Sequence, residues 1–237
     1  MEMRDYLMKM ADMSEISLDS QMIDQFSIFY ELLIETNKSL NLTAITEMEE
    51  VVLKHFIDSM AISHYFDFKN HSVIDVGTGA GFPGIPLAIL FSDAQFVLLD
   101  SLKKRLHFID QVLEKCGINN VTLIHGRAED FGRDENYREK FDYCVSRAVA
   151  SLPVLLELCT PFVRVGGKFI SYKSEQLAGE LEQSHKALSL LKCNLEKEIP
   201  YKIPDTDYSR VFAVFDKIEK LGKKYPRQAG KPKKFPL

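Results

Sequence analysis

Tryptophan is absent, and the four cysteines, Cys116, Cys144, Cys159 and Cys193, are too widely spaced to form a C-x-x-C pair. That excludes a zinc ribbon or a thioredoxin-type motif and suits buried, reduced thiols in a cytoplasmic protein. The six histidines show no metal-ligand spacing, so no metal is expected. No window holds the roughly 18 apolar residues of a membrane helix, and no membrane partner is expected. The opening MEMRDYLMKMADMSEISLD alternates acids with apolar residues, unlike a signal or transit peptide. No internal repeat occurs.

What is present suffices for one large domain, or a domain with an appendage: 237 residues, 46% of them hydrophobic. Charge is uneven. Residues 217–237 hold seven Lys and one Arg against one Glu, or +7 within a chain of net −4, which leaves −11 for residues 1–216. An acidic body with a basic end is a pattern for contacting a polyanion through that end.

Residues 1–70 read as a helical extension packed on a core. Met22, Ile23, Phe26, Phe29, Tyr30, Leu33 and Ile34 form one apolar helical stripe that Asp19 or Ser20 can cap. Thr46 is placed to open a further helix to about Tyr65, with Glu49 completing a capping box. On it, His55 and Asp58 are polar exceptions near an apolar face, read as satisfied core groups.

From residue 71 strands and helices alternate, which predicts a mostly parallel sheet covered on both faces. Strands are expected at Ser72–Val76, Gln95–Leu99, Val121–His125, Phe141–Val145 and Lys168–Lys173, the last after a Gly166-Gly167 turn. A polar helix is expected over Glu175–Leu191. Two late strands without an intervening helix, about Asn194–Ile203 and Val211–Phe215, predict a C-terminal antiparallel hairpin. The fold class is thus α/β and Rossmann-like, with residues 71–217 as the cofactor-binding domain and 218–237 as a basic tail.

The chain is organised around HSVIDVGTGAGFPGIPLAIL, residues 71–90, read as strand, glycine-rich loop and helix start. Gly79 to Gly84 satisfies G-x-G-x-x-G, a dinucleotide signature, whereas Asp75-x-Gly77-x-Gly79 is the form of S-adenosylmethionine (SAM) methyltransferases. Asp100, 21 residues after Gly79, suits ribose hydroxyls in either case. Ala128, Glu129 and Asp130 after the third strand suit an adenine edge. Carboxylates at Asp75, Asp100 and Glu129 favour a ligand with a sulfonium and an ammonium over a pyrophosphate, which calls for cations and helix-end donors. SAM is therefore preferred, with a nicotinamide-dependent oxidoreductase and a non-catalytic RNA-binding module as the other readings.

Arg147, at the end of the fourth strand, is the candidate acceptor-side residue, or an ion-pair partner of Asp75 or Glu129. The chain has no Asn/Asp-Pro-Pro-Tyr motif for an exocyclic amine and no cysteine-centred motif for attack on a pyrimidine carbon. A ring nitrogen with a free lone pair needs no general base, only positioning. Lys103, Lys104, Arg105, Lys173 and the tail residues Arg227 and Lys231 are candidates for a cationic rim, with the tail as an extended arm and Tyr225 available to stack on a base.

With these residues assembled, the chain closely resembles the ribosomal small-subunit methyltransferase G family (RsmG, also called glucose-inhibited division protein B). The strings Asn41-Leu42-Thr43-Ala44-Ile45, His55-Phe56-Ile57-Asp58-Ser59, Asp75 to Pro86, Gly126-Arg127-Ala128-Glu129, Ser146-Arg147-Ala148 and Tyr225-Pro226-Arg227 carry the resemblance, which spans nearly the whole chain. It implies a class I SAM-dependent enzyme that methylates N7 of one guanine, guanine 527 in the usual rRNA numbering, in the 530 loop of bacterial 16S rRNA. It also implies cofactor contacts at Gly77, Phe82, Ala128, Glu129 and Arg147 and a partner that is 16S rRNA or a small-subunit particle. The protein is expected to be monomeric.

Overall fold

The computed structural model describes residues 1–174 and 177–237. An N-terminal helical layer comes first. Helix α1 (Met3–Met13) turns Tyr6, Leu7 and Met10 inward. Helix α2 (Ser20–Leu40) begins where the Asp19 carboxylate accepts the Met22 N–H at 2.8 Å, a cap that stabilises a helix by about 1 kcal/mol. Ile23, Phe26, Phe29 and Leu33 form its buried stripe, and Asn41, with φ of 49°, closes it in the left-handed region.

The next helical stretch departs from expectation. It starts at Met48, with Glu47 at the N-cap making no side-chain bond, so the Thr46–Glu49 capping box does not form. After α3 (Met48–Val51) the chain widens into a π-helical segment, Val52–Ile57, before α4 (Asp58–Met60) and a 3₁₀ turn, Ala61–His64. His55 lies within this wider turn and Asp58 directly after it.

Seven strands form one sheet: β1 (Ser72–Val76), β2 (Gln95–Asp100), β3 (Val121–His125), β4 (Phe141–Arg147), β5 (Val163–Lys173), β6 (Cys193–Lys202) and β7 (Ser209–Lys217). Their order is β3-β2-β1-β4-β5-β7-β6. The first five are parallel, and β7 runs antiparallel to both β5 and β6. The order reverses between β1 and β4, so the loops that leave those two strands diverge and open a crevice. Gly166-Gly167 is not a turn before the fifth strand. β5 passes through both glycines, and the register against β4 shifts there, with Gly166 at φ of 81°.

Helices α5 (Gly84–Leu90), α6 (Lys103–Cys116), α7 (Ala128–Phe131) and α8 (Leu152–Cys159) complete the crossovers. In place of one polar helix over 175–191 there are two, α9 (Leu177–Glu182) and α10 (His185–Leu191); Glu175 and Gln176 lie outside the described residues. One sheet face packs on the N-terminal layer, α5 and α6 through Phe26, Phe29, Phe56, Phe96 and Phe108. The other packs on α8, α10 and the C-terminal residues Leu221 and Tyr225. Each such side chain, fully buried, stabilises the fold by about 1.5–3 kcal/mol.

The tail is not an extended arm. Residues 218–237 fold back on the body and finish in a short helix, α11 (Lys231–Lys234). Tyr225 is buried, which removes it as a free stacking platform. Arg138 donates to the carbonyls of Tyr225 (2.8 Å) and Leu221 (2.7 Å), and Arg133 donates to that of Pro226. Backbone acceptors met by arginines hold a segment that the sequence reads as an extended arm.

Candidate cofactor and acceptor site

A cavity of about 880 Å³ opens over the carboxyl ends of β1, β2 and β4. Its floor is the loop Gly77–Phe82. Gly77 has φ of 76°, and a Cβ there would lie 2.5 Å from Val149 Cγ2, so only glycine lets the loop after β4 close over it. The N–H groups of this loop are directed inward. Gly77 and Thr78 donate to Leu99 O, Gly79 to Asp100 Oδ2 (2.9 Å), Gly81 and Phe82 to Thr78 O, and Gly84 to Asp75 Oδ2 (2.9 Å). A loop whose donors are engaged by the protein has little left for a pyrophosphate.

The carboxylates divide by depth. Asp75 is wholly buried and does not line the cavity, a correction to its reading as a direct ligand contact. It lies beneath the loop and latches the start of α5. Burial pushes its carboxyl up to about 7, opposed by the Thr78 hydroxyl and the Gly84 N–H. Asp100 and Glu129 do line the cavity. Asp100 accepts from Gly79 and Leu102 (2.8 Å) and has Arg105 3.4 Å away. Glu129 accepts the Gly230 N–H at 2.8 Å. Each carboxylate keeps lone pairs for a ligand, since an ionised carboxylate offers about four acceptor sites.

At the other end stands Arg147. Its partner is neither Asp75 nor Glu129 but Asp58, through Nη1 and Oδ2 at 2.6 Å. The same Nη1 donates to Lys54 O (3.1 Å), and Nη2 is 3.4 Å from His55 Nδ1. Three of the five guanidinium hydrogens are so engaged, and two remain. Asp58 also accepts the Tyr201 hydroxyl at 2.6 Å and lies 3.7 Å from Arg210. Burial, then the Arg147 charge, holds the His55 imidazole down at about 3, so it is neutral. His55 shares a 2.8 Å hydrogen bond with the Thr43 hydroxyl and stacks on Phe82, ring centroids 4.5 Å apart. Phe82 stacks in turn on Phe29 of α2, which ties the glycine loop to the N-terminal layer.

Sequence reasoning thus missed Thr43, Tyr201 and the full environment of Arg147; His55 and Asp58 are satisfied, as read, but through Arg147 at the cavity. The available signal was the pair of polar side chains on an otherwise apolar helix face. Gly77, Gly79, Phe82, Asp100, Ala128, Glu129, Arg147 and Lys173 do share the cavity. Lys173 is committed to Glu180 at 2.7 Å. Arg227 pairs with the fully buried Glu157 at 2.6 Å and is not a free cation. Lys103, Lys104 and Lys231 are exposed. Burial pushes the Cys116 and Cys193 thiols up to about 11 and 12, which excludes them as thiolate nucleophiles.

The chain is similar to known proteins in sequence and in fold. The family described as rRNA small subunit methyltransferase G matches residues 22–230. Ribosomal RNA small subunit methyltransferase G of Lachnoclostridium phytofermentans is 46% identical, over 94% of this chain and 92% of its own length. That of Acetivibrio thermocellus is 46% identical over 100% and 98%. Among solved structures, M. jannaschii TYW2 in complex with AdoMet superposes with a TM-score of 0.54 at 19% identity, covering 69% of this chain and 76% of that one. The ribosomal protein L11 methylase of Lactobacillus delbrueckii subsp. bulgaricus gives 0.53 at 18% identity over 70% and 79%. At those identities the likeness shows the class I methyltransferase fold alone. On the family match and the near-full-length relatives, the chain belongs to the rRNA small subunit methyltransferase G family, whose members use SAM to methylate ribosomal RNA.

Proposed function

We propose that this protein transfers the methyl group of SAM to N7 of one guanine of small-subunit rRNA, guanine 527 in the 530 loop by the resemblance set out above. The observation that carries the cofactor half is the glycine loop with its N–H groups turned onto Leu99, Thr78, Asp75 and Asp100. Such a floor, edged by Asp100 and Glu129, fits a cationic, hydroxyl-bearing ligand better than a dinucleotide phosphate. Bound SAM supplies an activated methyl group on its sulfonium. Asp100 is placed to accept ribose hydroxyls, Glu129 and the backbone at Ala128 to meet the adenine edge, and Phe82 to wall the cavity.

Guanine N7 presents a lone pair and loses no proton on attack. The acceptor end matches that demand: His55 is neutral with both ring nitrogens engaged, and Arg147 is a fixed cation with two hydrogens to spare. Arg147 is assigned to hold the acceptor base in line, not to remove a proton. Lys103, Lys104 and Lys231 are assigned to RNA phosphates, whereas Lys173 and Arg227 act through their ion pairs. Among the described residues no helix is long and apolar enough to cross a membrane.

The test is transfer of labelled methyl from SAM to small-subunit rRNA from a strain lacking this gene, with the product nucleoside identified by mass spectrometry. N7-methylguanosine at a single site is the expected product. Methyl on an exocyclic amine or a ribose would overturn the assignment of N7.

A further inference from the structure

Glu129 borders the cavity, yet its carboxylate is already held, since Oε1 accepts the Gly230 N–H across 101 residues of sequence. Gly230 is the last residue before α11, and the chain leading to it is pinned. Arg227 forks onto both oxygens of Glu157, at 2.6–3.0 Å, and Glu157 is wholly buried in α8. Gly230 is exposed and meets nothing within 4 Å at its Cβ position, and its φ of 82° is what calls for glycine there. That backbone turn aims its N–H at Glu129.

We infer that Gly230 positions Glu129 for the cofactor, which makes the docked C-terminal segment a support behind the SAM site. The inference rests on the proposed role of Glu129 in holding SAM. A free glutamate loses rotamer freedom when it engages a ligand, whereas one already held by a backbone N–H has lost that freedom on folding. The bond is charge-assisted and leaves Oε2 for the ligand. Lys231, Lys233 and Lys234, which follow Gly230 directly, are exposed. RNA phosphates bound there steady the Gly230 contact, so RNA and SAM binding reinforce one another, each by the same factor.

The experiment compares the full chain with a chain ending at Ala229, each titrated with SAM by calorimetry. Amide exchange over residues 225–234 of the full chain is followed with and without SAM. The shortened chain is expected to bind SAM about tenfold or more weakly, the worth of one charge-assisted contact. Exchange at Gly230 in the full chain is expected to slow on SAM addition. Equal affinities overturn the inference and leave the cofactor assignment standing. Absence of SAM binding by the full chain overturns both. Where the shortened chain fails to fold, exchange in the full chain decides: slowing upholds the inference, and no change overturns it.

Discussion

Arg147 Nη1 lies 2.6 Å from Asp58 Oδ2, joining the end of β4 to the start of α4, 89 residues earlier. Both side chains are largely buried, at 13% and 4% exposure. A pair so enclosed is valuable less for net stability than for fixing where the guanidinium points. Asp58→Asn is expected to lower turnover at least about tenfold by freeing Arg147, with little change in SAM affinity. Single-turnover rates beside calorimetric SAM titration check this. Normal turnover would return the pair to a structural role.

Asp100→Ala removes a carboxylate that holds the Gly79 N–H and faces the cavity. SAM binding is expected to weaken by about 1.5–3 kcal/mol, the range for hydrogen bonds to a charged group. Unchanged affinity by calorimetry would remove Asp100 from the ribose end.

Asp75 and His55 pull the pH dependence of stability in opposite directions. The Asp75 carboxyl is raised to about 7 in the fold, so its contribution is full below the unfolded value and is lost as pH rises toward 7. The His55 imidazole is depressed to about 3, so its contribution is full above the unfolded value of 6.5 and is lost as pH falls toward 3. Between pH 7 and 4, Asp75→Asn is therefore expected to lose stability more steeply than wild type on acidification, and His55→Gln less steeply. Urea unfolding at several pH values measures both slopes, and parallel curves would contradict the two assignments.

Arg227→Ala strands the buried Glu157 carboxylate. Destabilisation of about 3–5 kcal/mol is expected, as for a buried pair broken on one side. Adding Glu157→Gln should recover part of it, as a double-mutant cycle in denaturant will show. Additive losses would mean that the two side chains do not act as a pair.

Replacing Lys103, Lys104 and Lys231 by Gln is expected to weaken RNA binding and flatten its salt dependence by about 0.7–0.9 of a log unit per lost phosphate contact. RNA affinity measured across a salt series gives the slope. An unchanged slope would place the phosphates elsewhere.

The alternation of strand and helix, the glycine loop and the late hairpin were legible because they are local. Alternating apolar residues, a turn glycine and a capping Asp19 act over a few neighbours, and seven strands follow from them with ends near those expected, except that β5 starts five residues earlier and runs through Gly166-Gly167. The identities of the cavity residues Gly77, Asp100, Glu129 and Arg147 were legible for the same reason, since strand ends meet at the switch point in this topology.

What each residue does there was decided by tertiary structure. Asp75 and Asp100 are alike in sequence, but one lies under the loop and the other on its edge. His55 and Asp58, in and just after a π-helical segment, meet Arg147, which lies 92 and 89 residues further along the chain. The basic tail reads as a free polyanion-binding arm until Glu157, Glu129, Arg133 and Arg138 are brought beside it. Local pattern specifies which backbone forms. Partner choice among charged groups depends on distance and burial, which only the folded chain sets.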